Sequence, residues 1–302
     1  MKYKRYCKNL SSLSYKPKEQ HIPLSQKIAI HSIKYFPKVL THTVLNTVTN
    51  YCSKWKNTKD SKKDIISFIK QYNINWKESK KCKNINTIEK CASKFNTKND
   101  FFQRERTGIK IQSQRDTRSI VSPADCRLVM YNHISSSTKY WIKGKEFTLD
   151  KLLGNNNIYN FKKIAICRLA PDDYHRFHFP IHCIYMGFYR IKGQYYSVDP
   201  RIVNSSIDVL GENKREVHML YNPVIGNVCC VIIGATCTGS IEMEKLKEGE
   251  IYKKGELFGK FGFGGSTIVM LFEKHVTLCD NIIKNSKKHV ETYIRVGTFL
   301  GK

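Results

Sequence analysis

Acidic residues are scarce in this 302-residue chain, which sets 25 Asp and Glu against 52 Lys and Arg for a formal charge of +27. Such a balance is unusual for a metabolic enzyme and favours a polyanionic partner, either nucleic acid or an anionic membrane surface. No acid precedes Glu19, and residues 1–100 hold 22 of the basic residues but only 6 of the acidic ones, so more than half of the excess lies in the first third. AT-rich coding, which enriches Lys, Asn and Ile together, is the bland alternative. Also missing is any run of roughly 18 consecutive apolar residues, which disfavours a spanning helix and leaves peripheral association. The basic start lacks the apolar core of a secretory signal, although it is compatible with a transit-like segment. There is no CxxC, HExxH or GxSxG. Pro180 separates His178 from His182 and opposes the helix that would place both imidazoles on one face. A structural metal is therefore not expected, and a conventional serine hydrolase is disfavoured. The eleven cysteines are odd in number and lack the spacing of a small disulfide framework, so they read as reduced thiols.

What is present divides at about residue 100. From Leu24 to Trp55 apolar residues recur at helical spacing, interleaved with Lys27, Lys34 and Lys38, which predicts an amphipathic helix with an interruption at Pro37. It would either lie in a lipid interface or pack on the main domain. Asp64 to Tyr72 is the clearest periodic segment after it. Beyond Phe101 the texture becomes short β-like runs: Arg118 to Val121, Arg127 to Tyr131, Ile164 to Leu169, Ile181 to Ile191, Gln194 to Val198, Val217 to Tyr221, Val228 to Ile233 and Thr267 to Phe272. The fold expected is α+β, one domain with a β-rich core of short antiparallel strands and a basic N-terminal helical region facing a membrane. The boundaries are 1–100 and 101–302. A loose echo of Lys253–Gly259 in Arg295–Gly301 suggests a repeated turn on either side of the strand at Thr267.

Three packets carry candidate chemistry. In Phe261-Gly262-Phe263-Gly264-Gly265-Ser266-Thr267, glycines remove the Cβ atoms that would keep the Ser266 hydroxyl from the Gly265 carbonyl. An ordinary strand-entry turn is the alternative. Asp125, in Ser122-Pro123-Ala124-Asp125-Cys126, either orients an imidazole or closes an Asx-turn. In Pro171-Asp172-Asp173-Tyr174-His175-Arg176-Phe177-His178, an extended backbone would send the two histidines to opposite faces, and a helical turn would bring them together. Asp125, His178 and Ser266 are the parts of a carboxylate-oriented base and a hydroxyl nucleophile.

The order of these packets resembles the phosphatidylserine decarboxylase proenzyme family over residues 100–302, through FFQRERTG, SPADCRL, PDDYHRFHFP, NKREV, VIIGATCTGSIE and KKGELFGKFGFGGSTIVMLFE. Three departures are visible: Cys126 stands where glycine usually follows the aspartate, Gly264 where leucine is frequent, and Lys214 where an acid is usual. The resemblance implies self-cleavage between Gly265 and Ser266. His178, oriented by Asp125, would deprotonate Ser266. A β chain of residues 1–265 and an α chain of residues 266–302 would remain associated as a heterodimer, with higher oligomers open. Ser266 would become a covalently bound pyruvoyl group, the only cofactor required, which forms a Schiff base with phosphatidylserine and acts as electron sink. His175 would supply the proton after carbon dioxide leaves, and the product would be phosphatidylethanolamine. Peripheral association with an anionic membrane follows, whether a bacterial cell membrane, the mitochondrial inner membrane or an endomembrane. A catalytically silent lipid-binding relative is the rival reading. Nucleic-acid binding finds no RNP, KH or zinc-finger pattern to support it.

Overall fold

The computed structural model describes residues 2–6, 13–14, 38–135, 148–154, 160–198, 208–235, 240–264 and 266–302. The predicted helix before Lys38 and the residue Gly265 lie outside this set. In chain order the elements are β1 (Lys2–Tyr6), β2 (Leu13–Ser14), α1 (Lys38–Lys56), α2 (Asp64–Tyr72), α3 (Ile88–Ser93), α4 (Lys98–Phe102), β3 (Ile120–Val121) and β4 (Cys126–Tyr131). They continue through α5 (Leu149–Leu153), β5 (Phe161–Leu169), β6 (Arg176–His178), β7 (Cys183–Ile191), α6 (Val209–Glu212), β8 (Arg215–Asn222) and β9 (Gly226–Gly234). The last are β10 (Ile241–Met243), β11 (Ile251–Tyr252), β12 (Leu257–Phe261), β13 (Ser266–Glu273), α7 (Asp280–Lys287), β14 (Val290–Ile294) and β15 (Phe299–Gly301).

Among the described residues, ten strands form one sheet in the order β11-β7-β8-β9-β13-β5-β4-β14-β1-β2, antiparallel except where β1 runs parallel to β14. β13 lies inside it, paired with β5 and β9 from Ser266 onwards. Its apolar run is continuous because both faces are covered: Ile268, Met270 and Phe272 enter one core, Val269 and Leu271 another. The first core is closed by Phe177, Phe258 and Phe261 from the small β10-β12-β6 sheet and by Ile282 and Ile283 of α7. The second is closed by Leu152 and Leu153 of α5, Val209 and Leu210 of α6, and Leu45 of α1. Thus α1 turns Thr41, Leu45, Thr49 and Lys56 inward, four or more residues apart. Packing on the main domain accounts for that face. None of the helices described is long and apolar enough to cross a membrane.

A third core gathers Ile65, Phe68, Ile69, Phe95, Phe101 and Phe102 from the helical region, and Phe263 joins it from just before the glycine pair. Threonine caps start α3 and α4, where Thr87 and Thr97 accept from the backbone of Lys90 and Asp100. The reading of all cysteines as free thiols is corrected here. Cys82 and Cys91 are bonded to each other within this small helical region, where a short loop between them brings the two sulfurs together. The expected strand from Gln194 to Val198 also reduces to an isolated bridge at Gln194, because Asn213 takes up the backbone of Tyr196 through its side-chain amide. The turn echo has a shared packing site: Gly255 and Gly297, at φ +88° and +82°, both press on Ile111, so close that a Cβ would meet its side chain at 2.6 and 2.8 Å.

A buried pair crosses the sheet. Arg168 of β5 donates from Nε to Oε1 of Glu291 at 2.9 Å and from Nη2 to Oε2 at 2.6 Å, and both side chains are almost wholly out of solvent. Removing one partner strands the other charge, at a cost of about 3–5 kcal/mol. Arg168→Ala is expected to lower the unfolding free energy in urea by about that amount, and Arg168→Met combined with Glu291→Leu to recover most of it.

Candidate functional site

The strand order brings the three packets together around the first residue of β13. Ser266 pairs across to Leu169 at the end of β5 and to Gly234 at the end of β9, and is fully buried. The chain leaving β5 turns back at once. Asp173 accepts from the backbone N–H of Ala170 at 2.7 Å, and Arg127 ties down Asp172 at 3.0 Å and also pairs with Asp173. The turn places His175 beside the strand it has just left. Nε2 of His175 lies 3.0 Å from the Ala170 carbonyl and Nδ1 lies 3.5 Å from Ser266 Oγ. A carbonyl can only accept, so Nε2 carries the proton and bare Nδ1 faces the serine hydroxyl. Burial, with the charges of Arg104 and Arg127 adding to it, pulls the His175 pKa down to about 3. The imidazole is therefore neutral at physiological pH. Phe102 covers it, ring on ring at 3.9 Å.

β6 is extended, and the two histidines part company accordingly. His178 donates from Nδ1 to the Gly255 carbonyl at 2.9 Å and accepts at Nε2 from the Tyr174 hydroxyl at 3.3 Å. Its pKa falls to about 4, chiefly through burial, with Asp125 pulling the other way. The carbonyl it uses is fixed from behind. Lys254 is buried and donates from Nζ to the carbonyls of Ser113 and Asp116, each at 2.8 Å. His182 turns elsewhere, to the Gln114 carbonyl at 2.7 Å.

Asp125 sits in the turn between β3 and β4 and shares no hydrogen bond with His178. It forms a two-point pair with Arg106, with Nη2 donating to Oδ1 at 3.0 Å, and accepts from the Val296 N–H at 2.8 Å. The guanidinium of Arg106 lies 4.7 Å from the centre of the Tyr174 ring. Arg106 and Tyr174 thus stand where a direct carboxylate–imidazole contact was expected. They lie in motifs quoted from the sequence, but their pairing is nonlocal and no spacing rule reveals it. The His178 backbone N–H does reach this turn, through the Pro123 carbonyl at 2.8 Å.

The departures from the family pattern are mild in the folded chain. Cys126 opens β4 without a positive φ, so glycine is not needed there, and burial pushes its thiol well up. Gly264 has φ +153°, where a side chain would be strained. Asn213 and Arg215 are framework residues: Asn213 donates to the carbonyls of Tyr196 and Gly234, and Arg215 to that of Leu152. Asn213 thereby steadies the strand end opposite Ser266. A pyruvoyl group at position 266 fits these surroundings, because the position is dry and the imidazole facing it is neutral.

Fold and site define an α+β protein with a buried serine–histidine pair at the head of a central strand. The family described as phosphatidylserine decarboxylase matches residues 98–302, and the chain belongs to it. Similar proteins include phosphatidylserine decarboxylase proenzyme 3 of Schizosaccharomyces pombe, 39% identical over 248 residues, which are 80% of this chain and 25% of the relative. Phosphatidylserine decarboxylase proenzyme 2 of Saccharomyces cerevisiae is 32% identical, over 93% of this chain and 24% of the relative. The phosphatidylserine decarboxylase proenzyme of Fusobacterium nucleatum is 35% identical over 274 residues, 88% of this chain and 87% of the relative. The chain spans about a quarter of the two fungal relatives and most of the bacterial one.

The two low pKa values have a thermodynamic consequence. The unfolded chain binds protons at both imidazoles below the ordinary value of 6.5, while the folded chain excludes them down to about 3 at His175 and about 4 at His178. Each therefore removes about 1.4 kcal/mol of stability per pH unit as pH falls through that window. His178→Gln is expected to show a shallower loss of unfolding free energy between pH 6 and pH 4.5 than the parent, measured by urea titration at each pH. Parallel slopes would contradict the burial of a neutral His178.

Proposed function

We propose that the chain is a self-cleaving, pyruvoyl-dependent phosphatidylserine decarboxylase that acts at an anionic membrane surface. The observation that carries this reading is the buried contact of Ser266 Oγ with a neutral imidazole at the head of β13. The hydroxyl gives up its proton and attacks the Gly265 carbonyl, exchanging the amide for an ester. Loss of the Cα proton then breaks the Cβ–O bond and releases residues 1–265 with a terminal carboxylate. The dehydroalanine left at position 266 takes up water and loses ammonia, leaving a pyruvoyl group. That group supplies a carbonyl that takes up the substrate amine and draws off the electrons freed when carbon dioxide departs.

The chain's own residues then have separable tasks. His175 faces position 266, which suits it to hold the serine hydroxyl in the precursor and to deliver a proton at that position afterwards. His178 is assigned the removal of the serine proton, assisted by the field of Asp125, and must leave its bond with Tyr174 to do so. Phe102 and Phe263 close the pocket against water. The two cleavage products are expected to stay together, since residues 266–302 supply β13, which pairs on both sides, and Glu291, which pairs with Arg168. The basic first third supplies attraction to an anionic surface that weakens with salt.

Intact mass under denaturing conditions tests the reading first. Wild type is expected as two fragments, the smaller starting at position 266 with a blocked pyruvoyl end, and Ser266→Ala as one chain without decarboxylase activity. Equal cleavage of both would remove Ser266 as nucleophile. His178→Ala is expected to stay uncleaved, whereas His175→Ala is expected to cleave and fail to release carbon dioxide. The reverse pattern would transfer the serine proton to His175, the imidazole already within hydrogen-bond reach.

A further inference from the structure

Arg104 follows α4 and lies nearly out of solvent, 8% exposed. Its guanidinium makes one long hydrogen bond, 3.4 Å from Nη1 to the Phe101 carbonyl, and lies 5.0 Å from the centre of the Phe101 ring. No carboxylate among the described residues pairs with it. The other buried arginines nearby are matched, Arg106 with Asp125, Arg127 with Asp172 and Asp173, and Arg168 with Glu291. A guanidinium does not shed its proton, and a buried charge without a partner is costly. Burial lowers the Arg104 pKa only to about 10, so the charge persists at neutral pH.

Its position is within the site. Two residues earlier Phe102 stacks on His175, and two residues later Arg106 holds Asp125 and overlies Tyr174. The charge of Arg104 is felt at His175 itself. A small polar cleft beside Gly262 and Phe263 is a less complete anion site. Its Asn99 is already committed on both ends, to Asn57 and to the Phe263 N–H.

We infer that Arg104 anchors the phosphodiester of the substrate headgroup. This rests on the activity proposed above, whose substrate brings two anions, a carboxylate and a phosphodiester. They make opposite demands on a buried cation. A guanidinium clamped on the carboxylate stabilises the charge that the reaction must discharge and so raises the barrier. The phosphodiester keeps its charge from substrate to product, so pairing with it is neutral toward the chemical step and holds the reacting end in place. The planar fork of arginine also matches two phosphate oxygens at once.

Binding is measured on the Ser266→Ala chain, which carries no pyruvoyl group whatever the activity of the wild type. The probes are dihexanoylphosphatidylethanolamine and dihexanoylphosphatidylserine below their micelle concentrations, titrated by calorimetry with and without Arg104→Gln. Arg104→Gln is expected to weaken both lipids by about tenfold or more and by the same factor, since both carry the phosphodiester. Arg104→Lys, which keeps the charge without the fork, is expected to fall between, and carries the comparison should the glutamine variant not fold. Weakening of the serine lipid alone would assign Arg104 to the carboxylate and overturn the inference, as would unchanged affinity for both or no binding by the Ser266→Ala chain. In the processed enzyme Arg104→Gln is expected to raise KM with kcat little changed, and a fall in kcat at constant KM counts against it. A wild type that neither cleaves nor decarboxylates would sink the proposed activity, while the binding comparison would still report on Arg104.

Discussion

Everything at the site depends on β13 starting at Ser266 with neighbours on both sides. The pairing with Leu169 and Gly234 fixes where Oγ lies, and the cores above and below the strand keep that place dry. A serine on a loop would have water as its first partner. At the head of a doubly covered strand, the only ring nitrogen in reach among the described residues belongs to His175. The same pairing explains how a backbone break just before Ser266 is tolerable. From Thr267 onwards β13 is paired with β5 on one side and β9 on the other, so a break before Ser266 would leave the strand held on both sides.

The second constraint is electrostatic. The site concentrates guanidinium groups in a dry interior, where Arg106, Arg127 and Arg168 are neutralised by carboxylates drawn from distant parts of the chain. These pairs do more than cancel charge. Arg106 joins the segment after α4 to the turn at Asp125, whose Oδ1 also accepts from the Val296 N–H near the C-terminus. Arg127 stiffens the turn that aims His175. Buried pairs are weak contributors to net stability compared with apolar packing. Their value here is positional, because each is satisfied in one arrangement of the site only.

How much of this was legible in the sequence follows from the range of each interaction. The strands around residues 164–169, 228–233 and 267–272 were visible because both-face burial writes long apolar runs. The helix at Asp64–Tyr72 was visible from its period. β6, β12, β14 and β15 were not, since they are short and take their pairing from remote partners. Asp125, His175, His178 and Ser266 were singled out by residue type and by family resemblance. Their adjacency was not, and in particular neither the Arg106–Asp125 pair nor the closeness of His175 to Ser266 has a local signature. The Cys82–Cys91 bond was missed because composition speaks for the whole chain and the pairing concerns one small helical region.

Two imidazoles three residues apart acquire different surroundings for a simple geometric reason. An extended backbone sends residues an odd number apart to opposite faces. His175, at the foot of β6, faces back toward the strand it came from, while His178 faces the turn at Gly255. In a helix both would have shared one face and one environment. The extended geometry lets one imidazole stay locked against position 266 by Ala170, with its bare nitrogen always presented. The other is held at Nδ1 by the Gly255 carbonyl at 2.9 Å and accepts at Nε2 from a tyrosine hydroxyl at 3.3 Å, the longer contact and the one the proposed proton removal would displace. The activity proposed above, cleavage of the chain at Ser266 followed by decarboxylation at the same residue, calls for a fixed group and a movable one. The alternation of a three-residue strand provides both.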